Sequence, residues 1–231
     1  FVTPGTQTDA MDKWKEIRFQ WHLDNGLDAD KLRWHDHGDE LAHYADAAFD
    51  IEYKFPIGWD EMEGIHSRTD FDLGRHAEHS GKNLNYVDVQ DGNKKYIPYV
   101  LETSVGCDRH LLAVMCNAYT VENAGEKEER VVMKFKPHLA PIKVAVMPLM
   151  KKEPLQDAAR GILADLQKKY KCEYDIAGSI GKRYRRQDEI GTPYCVTIDY
   201  DTLEDNAVTV RDRDSMTQER VAIANLQIYL L

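Results

Sequence analysis

The stretch Glu102-Thr103-Ser104-Val105-Gly106-Cys107-Asp108-Arg109 brings a carboxylate, two hydroxyls, a glycine and an arginine within eight residues. Upstream, Tyr96 to Leu101 is rich in aromatic and β-branched residues, and downstream Leu111, Leu112, Met115 and Tyr119 recur at helical spacing. The octapeptide therefore reads as a strand-to-helix turn. Gly106 lets a ligand approach the backbone closely, and Arg109 in a first helical turn sets a fixed positive charge beside free amide donors. Both features suit a polyphosphate. Glu102 and Ser104, two apart in an extended segment, share a face. The structural alternative is a helix cap with Asp108 as its side-chain acceptor.

The elements that must position these groups can be read from spacing. Met11, Trp14, Ile17 and Trp21 sit three and four apart, which predicts an amphipathic helix ended by Asn25-Gly26. Asp39 is placed to cap a short helix through Ala45, after which Phe49, Ile51, Tyr53 and Phe55 alternate as one buried face of a strand. Asp70 can cap a further helix closed by Gly81, and Asp91-Gly92 between Tyr86–Val89 and Lys95–Tyr99 signals a hairpin. Val121 to Arg130 is charged without periodicity and reads as an exposed excursion, and Pro137 to Pro141 reads as a linker. Beyond it the pattern restarts. Strands are expected over Ile142–Met147, Cys172–Ile176, Tyr194–Ile198 and Val208–Val210, with helices over Leu155–Tyr170 (Ala158, Ile162 and Leu166 inward) and Ile180–Ile190. The fold class is thus α+β followed by α/β, with domains over 1–138 and 139–231.

Composition narrows the function classes. The 231 residues include 42% hydrophobic and 30% charged positions, and no apolar run nears the roughly 20 residues that span a bilayer. No membrane partner is expected. Cys107, Cys116, Cys172 and Cys195 show no paired spacing, which argues for reduced thiols and a cytoplasmic protein. His35, His37, His43, His66, His76 and His79 lack the cysteine or carboxylate spacing of a zinc site. The net charge of -10 speaks against indiscriminate nucleic-acid binding. Its distribution is uneven. Residues 141–231 hold 14 Lys+Arg and 14 Asp+Glu, and the front 140 residues hold the remaining 16 of 30 and 26 of 40. In the neutral half, Lys182, Arg183, Arg185 and Arg186 gather with Tyr184 and Gln187 on one short helix, an RNA-compatible surface that can equally be a solvated basic helix.

The octapeptide resembles the third signature motif of the class II aminoacyl-tRNA synthetases. Asp39-Glu40-Leu41-Ala42-His43-Tyr44-Ala45, the run Gly64 to Leu73, and Gly178 to Thr197 resemble the dimeric, single-chain-type glycyl-tRNA synthetase family. Together these segments span most of the chain. The resemblance implies a partial antiparallel-sheet catalytic domain followed by an anticodon-binding α/β domain. The first two class II motifs are not in this sequence, so the chain is expected to be a carboxy-terminal fragment, unable to form aminoacyl adenylate alone. As the whole protein, the family implies a homodimer that joins glycine to tRNA-Gly with ATP and Mg2+.

Residue by residue, the resemblance implies that Arg109 holds the terminal phosphate of ATP and that Glu102 accepts from the glycine ammonium, the two residues expected to be catalytic. Gly106, Cys107 and Asp108 join Arg109 at ATP, with Glu61 and Met62 resembling an ATP-contacting pair whose apolar member lies against adenine. Glu102, Thr103, Ser104, Val105 and Gly106 are expected at glycine, with Arg68 suited to a carboxylate or to orienting Glu102. Mg2+ is expected near Glu61 or Glu102. In the second domain Lys182, Arg183, Tyr184, Arg185, Arg186 and Gln187 are expected at tRNA, with Tyr184 stacking and Gln187 reading a base edge. The competing possibility is a synthetase-like accessory protein that binds nucleic acid without ligase activity.

Overall fold

A computed structural model describes residues 1–38 and 40–230. The chain divides into two units, Phe1–Cys116 and Asn117–Leu231. In the first, α1 (Gln7–Asp24) is followed by β1 (Leu32–Asp36), β2 (Ala47–Phe55), β3 (Gly58–Ser67), α2 (Phe71–Ser80), β4 (Tyr86–Asp88), β5 (Lys94–Tyr96) and β6 (Leu101–Val105), and α3 (Cys107–Ala118) reaches across the division. The main sheet runs β1-β2-β3-β6 and is antiparallel throughout.

Strand alternation gives this sheet two chemically different faces. Phe49, Ile51, Ile65 and Glu63 fall on one, and cross-strand register puts Asp50 beside Gly64, Gly64 beside Ser104, and His66 beside Glu102 on the other. The first face receives α1. There Glu63 is fully buried, and Arg18 Nε donates to its Oε1 at 2.5 Å while His22 Nε2 meets its Oε2 at 2.7 Å. A buried carboxylate needs donors. This demand turns the helix so that Met11 and His22 are buried while Trp14 and Ile17 stay exposed, correcting the expected inward stripe. α3 behaves alike: Ala113, Val114 and Ala118 are buried, and Leu111, Leu112 and Met115 are exposed.

The short helix expected through Ala45 does not form. Asp39, its expected cap, lies outside the described residues; the chain turns at His43-Tyr44, whose rings meet Phe71 at 5.3 and 6.2 Å. The hairpin at Asp91-Gly92 joins β4 to β5 as expected, with Gly92 at φ +60°.

In the second unit β7 (Tyr119–Glu122) pairs with β8 (Arg130–Met133), so the expected excursion shrinks to the intervening loop and Arg130 is buried. There follow β9 (Val144–Pro148), α4 (Glu153–Leu166), β10 (Cys172–Tyr174), α5 (Ile180–Ile190), β11 (Tyr194–Ile198), α6 (Thr202–Asp205), β12 (Ala207–Asp212), β13 (Gln218–Ala222) and α7 (Leu226–Tyr229). The sheet order is β10-β9-β11-β12-β13, parallel over the first three strands and antiparallel over the last two. Val144, Val146, Val196, Ile198, Val208 and Val210 form its core with Leu155, Ile162 and Leu166 of α4. The spatial division precedes the 138/139 boundary read from the sequence because β8 packs on α5.

That packing is tied by charge. Asp188 of α5, fully buried, accepts from Arg211 Nη1 at 2.8 Å and Arg130 Nη1 at 3.2 Å. Arg213 Nη1 donates to the Gly191 carbonyl at 2.9 Å and its Nη2 to that of Phe135 at 2.8 Å.

Candidate functional site

Of the residues expected at glycine, the polar face of the first sheet carries Glu102 and Ser104, with Arg68 beside them. Glu102 and Ser104 alternate on β6 opposite His66 and Gly64, so both side chains leave the same side. Thr103 and Val105 therefore take the opposite face, with Thr103 opposite Ile65 and Val105 opposite Glu63, so their side chains leave the sheet on the side away from Glu102 and Ser104. Arg68, just past the end of β3, donates from Nη1 to Glu102 Oε2 at 2.9 Å. The arginine is itself held. Its Nε and Nη2 donate to Asp72 at 2.6 and 2.9 Å, and its guanidinium carbon lies 4.1 Å from the Tyr44 ring centre. The hydrogen bonds from Arg68 hold the Asp72 carboxyl below its ordinary value of 3.8 against a smaller opposing effect of desolvation. The donors of Arg68 are thus shared between Asp72 and Glu102.

A second cluster forms where β3 and α3 approach. β3 carries one extra residue against β2, since Ile51 pairs with Glu63 and Glu52 with Glu61, leaving Met62 as the bulge. The Gly106 amide donates to the Met62 carbonyl at 3.2 Å. Arg109, in the first turn of α3 and half-exposed, donates from Nη1 to the Glu61 carbonyl at 2.5 Å and lies 3.4 Å from Asp60 Oδ1. Glu61, Gly106, Cys107 and Asp108 are exposed around it. Met62 is a correction: at 2% exposure it belongs to the core and offers no face to a base. The bulge explains this, because the extra residue breaks the alternation that makes neighbours face apart.

In the second unit, α5 has the expected bounds, capped by Ser179 and closed by Gly191 in the left-handed region. Its basic residues divide. Arg183 is 3% exposed and spends its donors on the carbonyls of Pro148 at 2.7 Å and Leu149 at 3.1 Å. Gln187 is 1% exposed and accepts from Thr192 at 2.6 Å. Neither side chain is placed to touch a base or phosphate, which corrects those two expectations. Tyr184 is partly buried with its hydroxyl 2.7 Å from Thr197 Oγ1, and burial raises its pKa. Arg186 reaches Asp175 at 2.6 Å while remaining largely exposed, Lys182 is exposed and Arg185 partly so. The helix presents a smaller basic surface than its sequence shows.

Asp72 and Tyr44, which hold Arg68, and His66, opposite Glu102, were given no place in the glycine or ATP site by the sequence reading. Asp72 was accessible, since it stands four residues after Arg68 near a helix start. Among the described residues no group of three or more His, Cys, Asp and Glu side chains is arranged to hold a metal ion. Exposed Glu61 nevertheless fits Mg2+ bound mainly by phosphate oxygens and water, a mode that needs one or two carboxylates rather than a protein cage. No helix among the described residues is long and apolar enough to cross a membrane.

The anticodon binding domain family matches residues 143–231. Over the chain as a whole, the glycine–tRNA ligase of Treponema denticola is 53% identical across 226 residues, covering 96% of this chain and 50% of the relative. That of Chlorobaculum tepidum is 52% identical across 231 residues, 100% of this chain and 48% of the relative. That of Acetivibrio thermocellus is 54% identical across 230 residues, 99% and 49% respectively. The chain spans about half the length of the curated relatives it matches. With half of all positions identical from the sheet that carries Glu102 through the anticodon-binding region, the chain belongs to the glycyl-tRNA synthetase family.

Proposed function

We propose that the protein containing this chain is a glycine–tRNA ligase, activating glycine with ATP and transferring it to tRNA-Gly. The observation that carries the reading is the common side of Glu102 and Ser104 on β6, with Arg68 on Glu102. Glycine has no side chain to grip, so a selective site must hold its ammonium and carboxylate and leave no room for a methyl group. Glu102 accepts from the ammonium. In adenylate formation the glycine carboxylate attacks the α-phosphate and pyrophosphate leaves, so alignment and neutralisation of phosphate charge do most of the catalysis. Arg109, tied to the Glu61 carbonyl at the start of α3, supplies a fixed charge for the leaving phosphates. Mg2+ held through Glu61 neutralises phosphate charge when bound.

In this reading residues 1–138 belong to the catalytic domain and residues 139–231 bind the anticodon region, with Lys182, Arg185 and Arg186 facing RNA. The working protein in this reading is a cytoplasmic homodimer. The test is aminoacylation of tRNA-Gly by the full-length protein with glycine, alanine and serine in parallel. Charging with glycine alone supports the reading; charging with another amino acid, or with none, contradicts it.

A further inference from the structure

The polar face holds one residue whose work is done at a distance. Arg68 has three donor edges in use: Nε and Nη2 go to the two oxygens of Asp72, and Nη1 alone reaches Glu102. Arginine facing a carboxylate favours two parallel hydrogen bonds. Were Arg68 free to turn, it would take both oxygens of Glu102. Asp72 occupies the fork that such a pairing needs, and the Tyr44 ring 4.1 Å from the guanidinium fixes its plane. Among the described residues, Arg68 then touches Glu102 on Oε2 and no side chain holds its Oε1.

We infer that Asp72 is a positioning residue for the glycine ammonium site: by holding the fork of Arg68 it restricts that arginine to one oxygen of Glu102 and keeps the other for the ligand. The inference rests on the reading of Glu102 as the ammonium acceptor. It also gives the three residues distinct roles. Glu102 binds, Arg68 orients Glu102, and Asp72 prevents Arg68 from competing with the ligand. The placement of Asp72 at the first turn of α2, four residues from Arg68, makes the restraint local and independent of the rest of the sheet.

The test pairs two measurements. In the full-length protein, glycine-dependent ATP–pyrophosphate exchange is compared for wild type, Asp72→Asn and Asp72→Glu. The expected result for Asp72→Asn is a KM for glycine raised about tenfold with KM for ATP within about twofold, the size of one hydrogen bond to a charged group. Asp72→Glu recovers part of the loss. In the 231-residue chain, the Arg68 Nε–Hε resonance is followed by NMR: protected from exchange in wild type and in Glu102→Gln, unprotected in Asp72→Asn. An active wild type whose glycine KM is unmoved by Asp72→Asn, or equal loss in glycine and ATP terms, overturns the inference alone. So does protection that survives in Asp72→Asn. A wild type without glycine-dependent exchange overturns the ammonium assignment and the inference with it.

Discussion

His22 Nε2 and Glu63 Oε2 stand 2.7 Å apart with both side chains fully buried, joining α1 to the strand that carries Glu61 and Met62. Burial pushes the Glu63 carboxyl up, but hydrogen bonds from His22 and Arg18 outweigh it and hold the group below its ordinary value of 4.5. A carboxyl depressed in the folded state stabilises the fold above its unfolded value, and that contribution disappears as pH falls through the folded one. The first unit should therefore lose stability on acidification below about pH 4.5. Glu63→Gln strands Arg18 beside a neutral partner and is expected to cost roughly 3–5 kcal/mol and to flatten this acid dependence. Urea unfolding at several pH values, followed by tryptophan fluorescence, checks both.

Arg109 is half-exposed and is bound mainly to a backbone carbonyl, so Arg109→Ala should change folding stability by no more than about 0.5 kcal/mol. Its effect on adenylate formation in the full-length protein should be far larger, roughly 100- to 1,000-fold in rate, as for loss of one pre-organised charge contact. Thermal unfolding and pyrophosphate exchange on the same variant separate the two.

The basic helix α5 makes opposite predictions for neighbouring arginines. Lys182→Ala with Arg185→Ala should weaken binding of tRNA-Gly and reduce the salt dependence of binding by roughly 1 to 2 in slope, with the fold intact. Arg183→Ala removes donors from the Pro148 and Leu149 carbonyls and should instead destabilise the second unit by about 1–3 kcal/mol. A salt series of binding measurements on both variants, beside their denaturation curves, tells them apart.

Gly191 closes α5 at φ +83°, and a Cβ there would lie 2.5 Å from Phe135 Cδ2 and 2.8 Å from the Met133 carbonyl oxygen. Gly191→Ala combines backbone strain with this overlap and should cost more than about 1–3 kcal/mol. The loss should show in the second unit, read by hydrogen exchange of β8 and α5 amides.

The elements were legible where local chemistry decides them. Gly191 closes α5, Asp91-Gly92 marks its hairpin, and the apolar runs of β9 and β11 need both faces covered. Which face of a helix turns inward was not legible. The spacing of Trp14, Ile17 and Trp21, or of Leu111, Leu112 and Met115, says that residues share a stripe; it does not say what lies opposite. Buried Glu63 drew Arg18 and His22 inward, and nothing near Glu63 in sequence announces that pairing, 41 to 45 residues away. The same limit applies at the site. Glu102, Ser104 and Arg109 could be read because strand alternation and a helix start are local rules, whereas the bulge that buries Met62 depends on how β2 pairs. On α5, a count of cations could not show that Arg183 is turned inward.

The polar face of the first sheet as the seat of glycine activation is tested most directly by glycine-dependent ATP–pyrophosphate exchange in the full-length protein and its Glu102→Gln variant. Exchange that requires glycine, and falls roughly 100-fold or more when Glu102 loses its charge, is the predicted result. Full exchange by Glu102→Gln, or none in the wild type, would contradict it.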